Sequence, residues 1–244
     1  GYTNQENFAV GIGYTSGYTN QGYAAVALGP IAGNNTQDQY AVAVGNRAGQ
    51  TTQGYGAVAL GSTAGQTNQG AYTVGVGYSA GSSNQGEYGV AIGKSAGANV
   101  QSSAAIAIGS NAGLENQGYA AVALGPNAGF THQRTYAVAI GTGSGQTNQG
   151  TSAVAVGVGS GSVDQGTNAI AIGASAGYTG QEQFSVAIGS SAGQTNQGQY
   201  GIAIGENSGS SNQGTHGIAI GLNAGQLNQG SSGIAIGLGA GSHD

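Results

Sequence analysis

The stretch Ala41-Val42-Ala43-Val44-Gly45-Asn46-Arg47-Ala48 returns, in close variants, every sixteen residues along the chain. Its first four residues alternate small and β-branched side chains, which is the period of a strand. The glycine that follows ends the strand and admits a corner of positive φ. Taking residue number modulo sixteen as a slot number, Gly45 lies in slot thirteen, which is glycine in every repeat from Gly13 to Gly237. Slot one is glycine from Gly1 to Gly241, and slot five is glutamine from Gln5 to Gln229, without exception. Slot ten is always Val or Ile, slot twelve always Ile, Leu or Val, and slot sixteen always Ala or Ser. Fifteen blocks follow one another with no insertion or deletion. A fixed period this short makes each block one structural unit stacked on near-identical neighbours.

Slots two to five are polar, often Q-T-N-Q as in Gln66-Thr67-Asn68-Gln69, and slot six is glycine in ten of the fifteen blocks. Two short strands and two corners per block predict an all-β fold. Residues 1–244 form one array of about fifteen coils of a parallel β-solenoid, or β-roll. Coils stacked at the strand spacing of about 4.8 Å give a rod of roughly 70 Å. Helix is excluded, because glycine recurs every few residues and no stripe of period 3.6 exists. Along the first strand, slots nine and eleven are small and slots ten and twelve are aliphatic, so its two faces differ. The sequence leaves open which one points inward. One face closes the coil against slot sixteen and the polar segment. The other is expected to meet a partner, because strands covered on both sides need two layers. Side-by-side homo-oligomerisation is the expectation for so thin a coil.

Composition narrows the function. Glycine is abundant (52 residues) but follows no G-X-Y triplet, which excludes collagen. Only Arg47, Lys94 and Arg134 are basic and the net charge is −5, so no phosphate-binding stripe exists and nucleic acid is not an expected partner. The aliphatic runs are too short for a membrane helix. Cysteine is absent, which removes disulfides and thiolate metal sites. The chain begins and ends inside the pattern, and it is expected to be a piece of a longer protein or fibre.

The motif A-[VI]-A-[IVL]-G-x-x-[AS], carried by Ala41–Ala48 and its repeats, resembles the head repeats of trimeric autotransporter adhesins of the YadA-like class. The segment GQTNQG, at Gly65–Gly70 and Gly193–Gly198, is similar to blocks in predicted fibre proteins of phages and large DNA viruses. The adhesin resemblance implies a left-handed parallel β-roll with three chains side by side. The coil here is longer and its second segment is rich in Gln, Thr and Asn, so bacterial and viral readings stand together. Either implies an extracellular, cell-surface or virion-surface location, with a surface protein or glycan as receptor.

Among candidate residues the glutamine column comes first: Gln21, Gln37, Gln53, Gln69, Gln85, Gln101, Gln117, Gln133, Gln149, Gln165, Gln181, Gln197, Gln213 and Gln229. Slot four beside it drifts from Asn to Val100, His132 and Gly180, whereas slot five is invariant. Amides stacked at strand spacing bond along the axis as a ladder. Ten aromatic residues sit at slots seven or eight, with no evident rule in the coils they skip. Tyr40, Tyr55, Tyr72 and Tyr88 occupy four consecutive blocks and are the expected surface contacts, an apolar body with a polar tip.

His132, His216 and His243 fall in different slots of distant blocks, so no shared metal is expected. The acids are dispersed without an acid–base pair, and no cofactor is implied. The G-x-G-x-x-x-G runs at Gly11–Gly17 and Gly75–Gly81 are repeat glycines with no following helix. Catalysis needs one unlike constellation at one place, whereas this chain repeats one shape, so an enzyme is not expected. The leading expectation is a structural or adhesive fibre segment. The alternatives are a glycan-binding head and an ice-binding solenoid. The ice lattice would use slot three, where Thr51, Thr67, Thr147 and Thr195 are interrupted by Asn35, Glu115, Val163 and Leu227.

Overall fold

The computed structural model describes residues 3–242, which fall into two compact units, one ending at Ala120 and one beginning at Ala121. Gly1, Tyr2, His243 and Asp244 lie outside the described residues. Both units are parallel β-solenoids of sixteen-residue coils, with no helix among the described residues. Slots ten to twelve form a three-residue strand in every coil, such as Val26–Leu28, Val42–Val44 and Val154–Val156. Neighbouring strands pair slot on slot, Val26 with Val42, Ala27 with Ala43 and Leu28 with Val44. Zero register shift is what exact phasing at sixteen residues requires.

The polar wall differs between the units. In the first it is a ladder of three-residue strands from Thr3–Gln5 to Glu115–Gln117, paired at slots three and five. In the second unit it is reduced to single bridges at slot three, from Thr131 with Thr147 to Ser211 with Leu227. The expectation of two strands per coil therefore needs correction there. Slot four is left-handed in every described coil of both units, with Asn20 at φ 52° and Asn148 at φ 55°, so the extended run of this wall is interrupted at its middle residue throughout. The coil-to-coil hydrogen bonds persist regardless: Thr147 N donates to Ser162 O, and Asn148 N to Thr131 O.

Two tight turns close each coil. The amide of slot nine donates to the carbonyl of slot six, as Ala25 N to Gly22 O, and slot sixteen donates to slot thirteen, as Ala32 N to Gly29 O. Slots eight and fifteen are the third residues of these turns and have positive φ throughout, the geometry of a type II turn. Serine in slot sixteen adds a second bond to the same carbonyl. Ser144 Oγ donates to Gly141 O at 2.9 Å and Ser208 Oγ to Gly205 O at 2.9 Å, which keeps a buried hydroxyl satisfied.

The structure settles the direction of the strand faces. Alanine at slots nine, eleven and sixteen is buried, as are Ala153, Ala155 and Ala176 in the second unit. The largest fully buried side chains are the slot-five glutamines. The aliphatics of slots ten and twelve point out. Slot ten is half-buried in most coils, and slot twelve remains about a third exposed, as Leu60 at 36% and Ile172 at 39%.

Slot-thirteen glycine is fixed twice over. Gly157 has φ +129°, and a Cβ there would lie 2.6 Å from the carbonyl oxygen of Gly173 in the next coil.

Candidate functional site

The interior is polar at its centre. Nε2 of Gln37 donates to Val26 O at 2.8 Å, to Ala41 O at 3.1 Å and to Oε1 of Gln53 at 3.1 Å. One amide thus ties the previous coil, its own turn and the next coil together. In the second unit the amide chain runs unbroken from Gln133 through Gln149, Gln165, Gln181, Gln197 and Gln213 to Gln229 at 3.1–3.2 Å per step. In the first unit it is interrupted. Oε1 of Gln21, Gln69 and Gln101 is buried with no hydrogen-bond partner. Each such oxygen forgoes a bond that water would supply. Gln5 is exposed and Gln229 half-buried, both in outlying coils. Slot-one glycine makes room for the amide: a Cβ on Gly161 would sit 2.6 Å from Cδ of Gln165.

The aromatic residues obey a rule that reading slots seven and eight together conceals. Along the first unit the rings come alternately from slot eight and slot seven: Phe8, Tyr23, Tyr40, Tyr55, Tyr72. Each successive pair packs edge to face, with centroids 5.4–5.7 Å apart and planes 60–84° apart. Where two consecutive coils both use slot eight, the rings stack in parallel. Tyr72 and Tyr88 do so at 4°, Phe184 and Tyr200 at 5°, and Tyr200 and His216 at 12°. A slot-seven ring is followed by a small residue at slot eight: Ala24, Gly56 or Ala120. That small-residue alternation is the sequence signal for the two packing modes. Ring contacts of this kind contribute about 0.5–1.5 kcal/mol each beyond area burial. The four tyrosines expected as surface contacts belong to one ladder and are all exposed, from Tyr55 at 37% to Tyr88 at 59%.

The slot-eight rings also carry backbone strain. Tyr40 at φ 58°, Phe184 at 61° and Tyr200 at 58° lie in the left-handed region, which is costly for a bulky residue.

Grooves open on the turn formed by slots four to seven. One, of about 530 Å³, is bordered by Asn4, Asn20, Glu6, Asp38 and Gln39. Another, of about 600 Å³, is bordered by Asp164, Glu182, Gln183, Asn196 and Gln199. Glycine at slot six, Gly22 in the first and Gly166 in the second, leaves each groove open. The carboxylates are held by backbone amides. Gln39 N donates to Asp38 Oδ1 at 2.7 Å and Gln199 N to Glu182 Oε2 at 2.9 Å. The acids taken as dispersed are thus brought together in part. Glu6 and Asp38 border one groove, Asp164 and Glu182 the other.

His216 closes a ring stack, and His132 lies in a left-handed slot-four position. No group of three His, Cys, Asp or Glu among the described residues could hold a metal ion. No helix among the described residues is long and apolar enough to cross a membrane. In comparisons with protein families, curated proteins and solved structures, nothing matches this chain.

Proposed function

We propose that this chain is a segment of a structural fibre, displayed outside a cell or on a virion, whose coils associate side by side with other copies through the aliphatic face. The observation that carries this reading is the outward pair of Val/Ile/Leu columns at slots ten and twelve, repeated in every coil and left partly exposed. Apolar surface of this regularity marks a contact face. A parallel, zero-register sheet presents near-identical rows to an identical neighbour, which favours a symmetric homo-oligomer. Three chains is the number implied by the resemblance to adhesin head repeats. Length, not chemistry, is what near-identical coils supply, and this favours a shaft over a catalyst.

Light scattering coupled to size exclusion tests the proposal. The expected mass is a multiple of 23.4 kDa, three-fold first. A monodisperse monomer at all concentrations would remove the basis of the reading.

A further inference from the structure

Tyrosine is the one readily oxidised side chain that this molecule carries in number. The chain has thirteen tyrosines and no cysteine, methionine or tryptophan, so no thiol, thioether or indole competes for an oxidising equivalent. Five of the tyrosines stand in one unbroken row. Tyr23, Tyr40, Tyr55, Tyr72 and Tyr88 follow each other coil by coil, with ring centroids 5.4–5.7 Å apart at every step. The backbone holds two of these pairs in place: Tyr40 N donates to Tyr23 O at 3.0 Å and Tyr72 N to Tyr55 O at 2.8 Å. All five rings are partly open to solvent. The repeat does not demand the row. Ala24, Gly56 and Ser152 occupy slot eight at the same positive φ, and the stack of Phe184, Tyr200 and His216 in the second unit sets no two phenols side by side.

We infer that the tyrosine row is a site of oxidative cross-linking, at which neighbouring coils of one chain become joined through dityrosine. Each phenol gives one electron to a haem peroxidase activated by hydrogen peroxide, and its hydroxyl proton to water. Two phenoxyl radicals on adjacent rings then join by a carbon–carbon bond between positions ortho to their oxygens. The hydrogens at those two carbons move to the oxygens as protons, which restores two phenols. One hydrogen peroxide takes up the two electrons and two protons and leaves as two waters, so atoms and electrons balance.

Placement decides where the coupling goes. Each ring touches the next, so a radical formed on any of them already has its reaction partner in contact, and an encounter between molecules becomes a step within one. Exposed side chains change rotamer in picoseconds to nanoseconds, fast enough for neighbouring rings to bring their ortho positions together. Each new bond ties one coil to the next across a seam otherwise held by backbone hydrogen bonds and ring packing.

Trypsin reads the outcome, because Arg47 lies between Tyr40 and Tyr55, and Lys94 lies after Tyr88. The full chain is oxidised with a haem peroxidase and hydrogen peroxide. The product that still runs at single-chain mass on a denaturing gel is isolated, denatured and digested. The expected result is a joined pair of peptides, residues 1–47 with residues 48–94, lighter than their sum by two hydrogens. Tyr40→Phe removes the phenol between Tyr23 and Tyr55, and the joined pair should be lost. The coil accepts that change, because Phe8 and Phe184 already hold slot eight and pack in the ring ladder. Tyr78→Phe, at an exposed position outside the row, should leave the joined pair at the level of the unaltered chain. Circular dichroism on each variant separates loss of fold from loss of coupling. No joined pair, cross-links found only between chains, a joined pair that survives Tyr40→Phe, or an equal loss in Tyr78→Phe would each overturn the inference.

Discussion

In the strand Val154–Val156, Ala155 points inward and is fully buried, while Val154 and Val156 point outward and stay half-buried. A globular sheet places its larger aliphatics inside. Here the interior takes methyl groups and one amide per coil, and the larger side chains are outside. The difference teaches that size, more than hydropathy, sorts the two faces. The turns at slots six to nine and thirteen to sixteen bring the two walls so close that, beside the glutamine, only small residues fit between them: Gly, Ala, Ser and, at one position, Thr73. The outer face faces no such limit and carries the larger apolar groups, which gain their burial from the coils above and below and from a partner.

Substitutions on opposite faces of that one strand should separate most widely. Ala155→Asp puts an unpaired carboxylate into the closed interior and is expected to abolish folding, a cost of several kcal/mol. Val154→Asp should leave the circular dichroism and thermal midpoint of the isolated chain nearly unchanged and abolish self-association. Equal melting of the two variants would break the comparison.

The corner that ends the strand comes next. Gly157→Ala combines φ +129° with a backbone collision at 2.6 Å and should cost about 4 kcal/mol. Gly143→Ser, at slot fifteen with φ +63° and nothing nearer than 3.9 Å, should cost about 1 kcal/mol, read as a small drop in melting temperature.

The amide column gives a smaller effect. Gln165→Ala removes a step from the unbroken chain and takes the donor from the buried Oε1 of Gln181, so about 1–3 kcal/mol should be lost in denaturant titration. Gln69→Ala should lose less, because Oε1 of Gln69 has no partner to begin with. The smallest change is expected outside. Asn148→Gly removes an exposed bond to Asp164 Oδ1 while tolerating the φ of 55°, and should stay within about 0.5 kcal/mol.

Much of this architecture is legible in the chain itself. The alternation in Ala41–Val44, the glycine at Gly45 and the small residue at Ala48 specify strand, corner and inward contact in order, and exact phasing specifies the zero-shift ladder. The direction of the faces is not legible. Alternation distinguishes two sides without saying which one the closing turns leave room for. Slot four drifts in residue type beside the invariant glutamine. Its recurrent Asn, as at Asn20, Asn68 and Asn148, is instead the mark of left-handed backbone, which Asn tolerates best among non-glycine residues. That signal was present and would have shown that the second wall is interrupted at its centre. The ring ladder was half legible. Its members were found, but Tyr23-Ala24 and Tyr55-Gly56 against Gln39-Tyr40 and Ala71-Tyr72 encode two geometries that a merged column hides.

The glycine column at slot thirteen bears on how such a protein changes over generations. Gly141 faces Gly157, and Gly157 faces Gly173, with no space for any other residue between them. Gain or loss of a single residue would set a side chain against that seam where the altered coil meets its neighbour, and among the described residues no coil has a longer loop to absorb the slip. Gain or loss of sixteen residues, by contrast, restores every column, because each seam is the same as the next. Lineages carrying this chain are therefore free to lengthen or shorten it only in whole coils, and its size is a count, not a continuum.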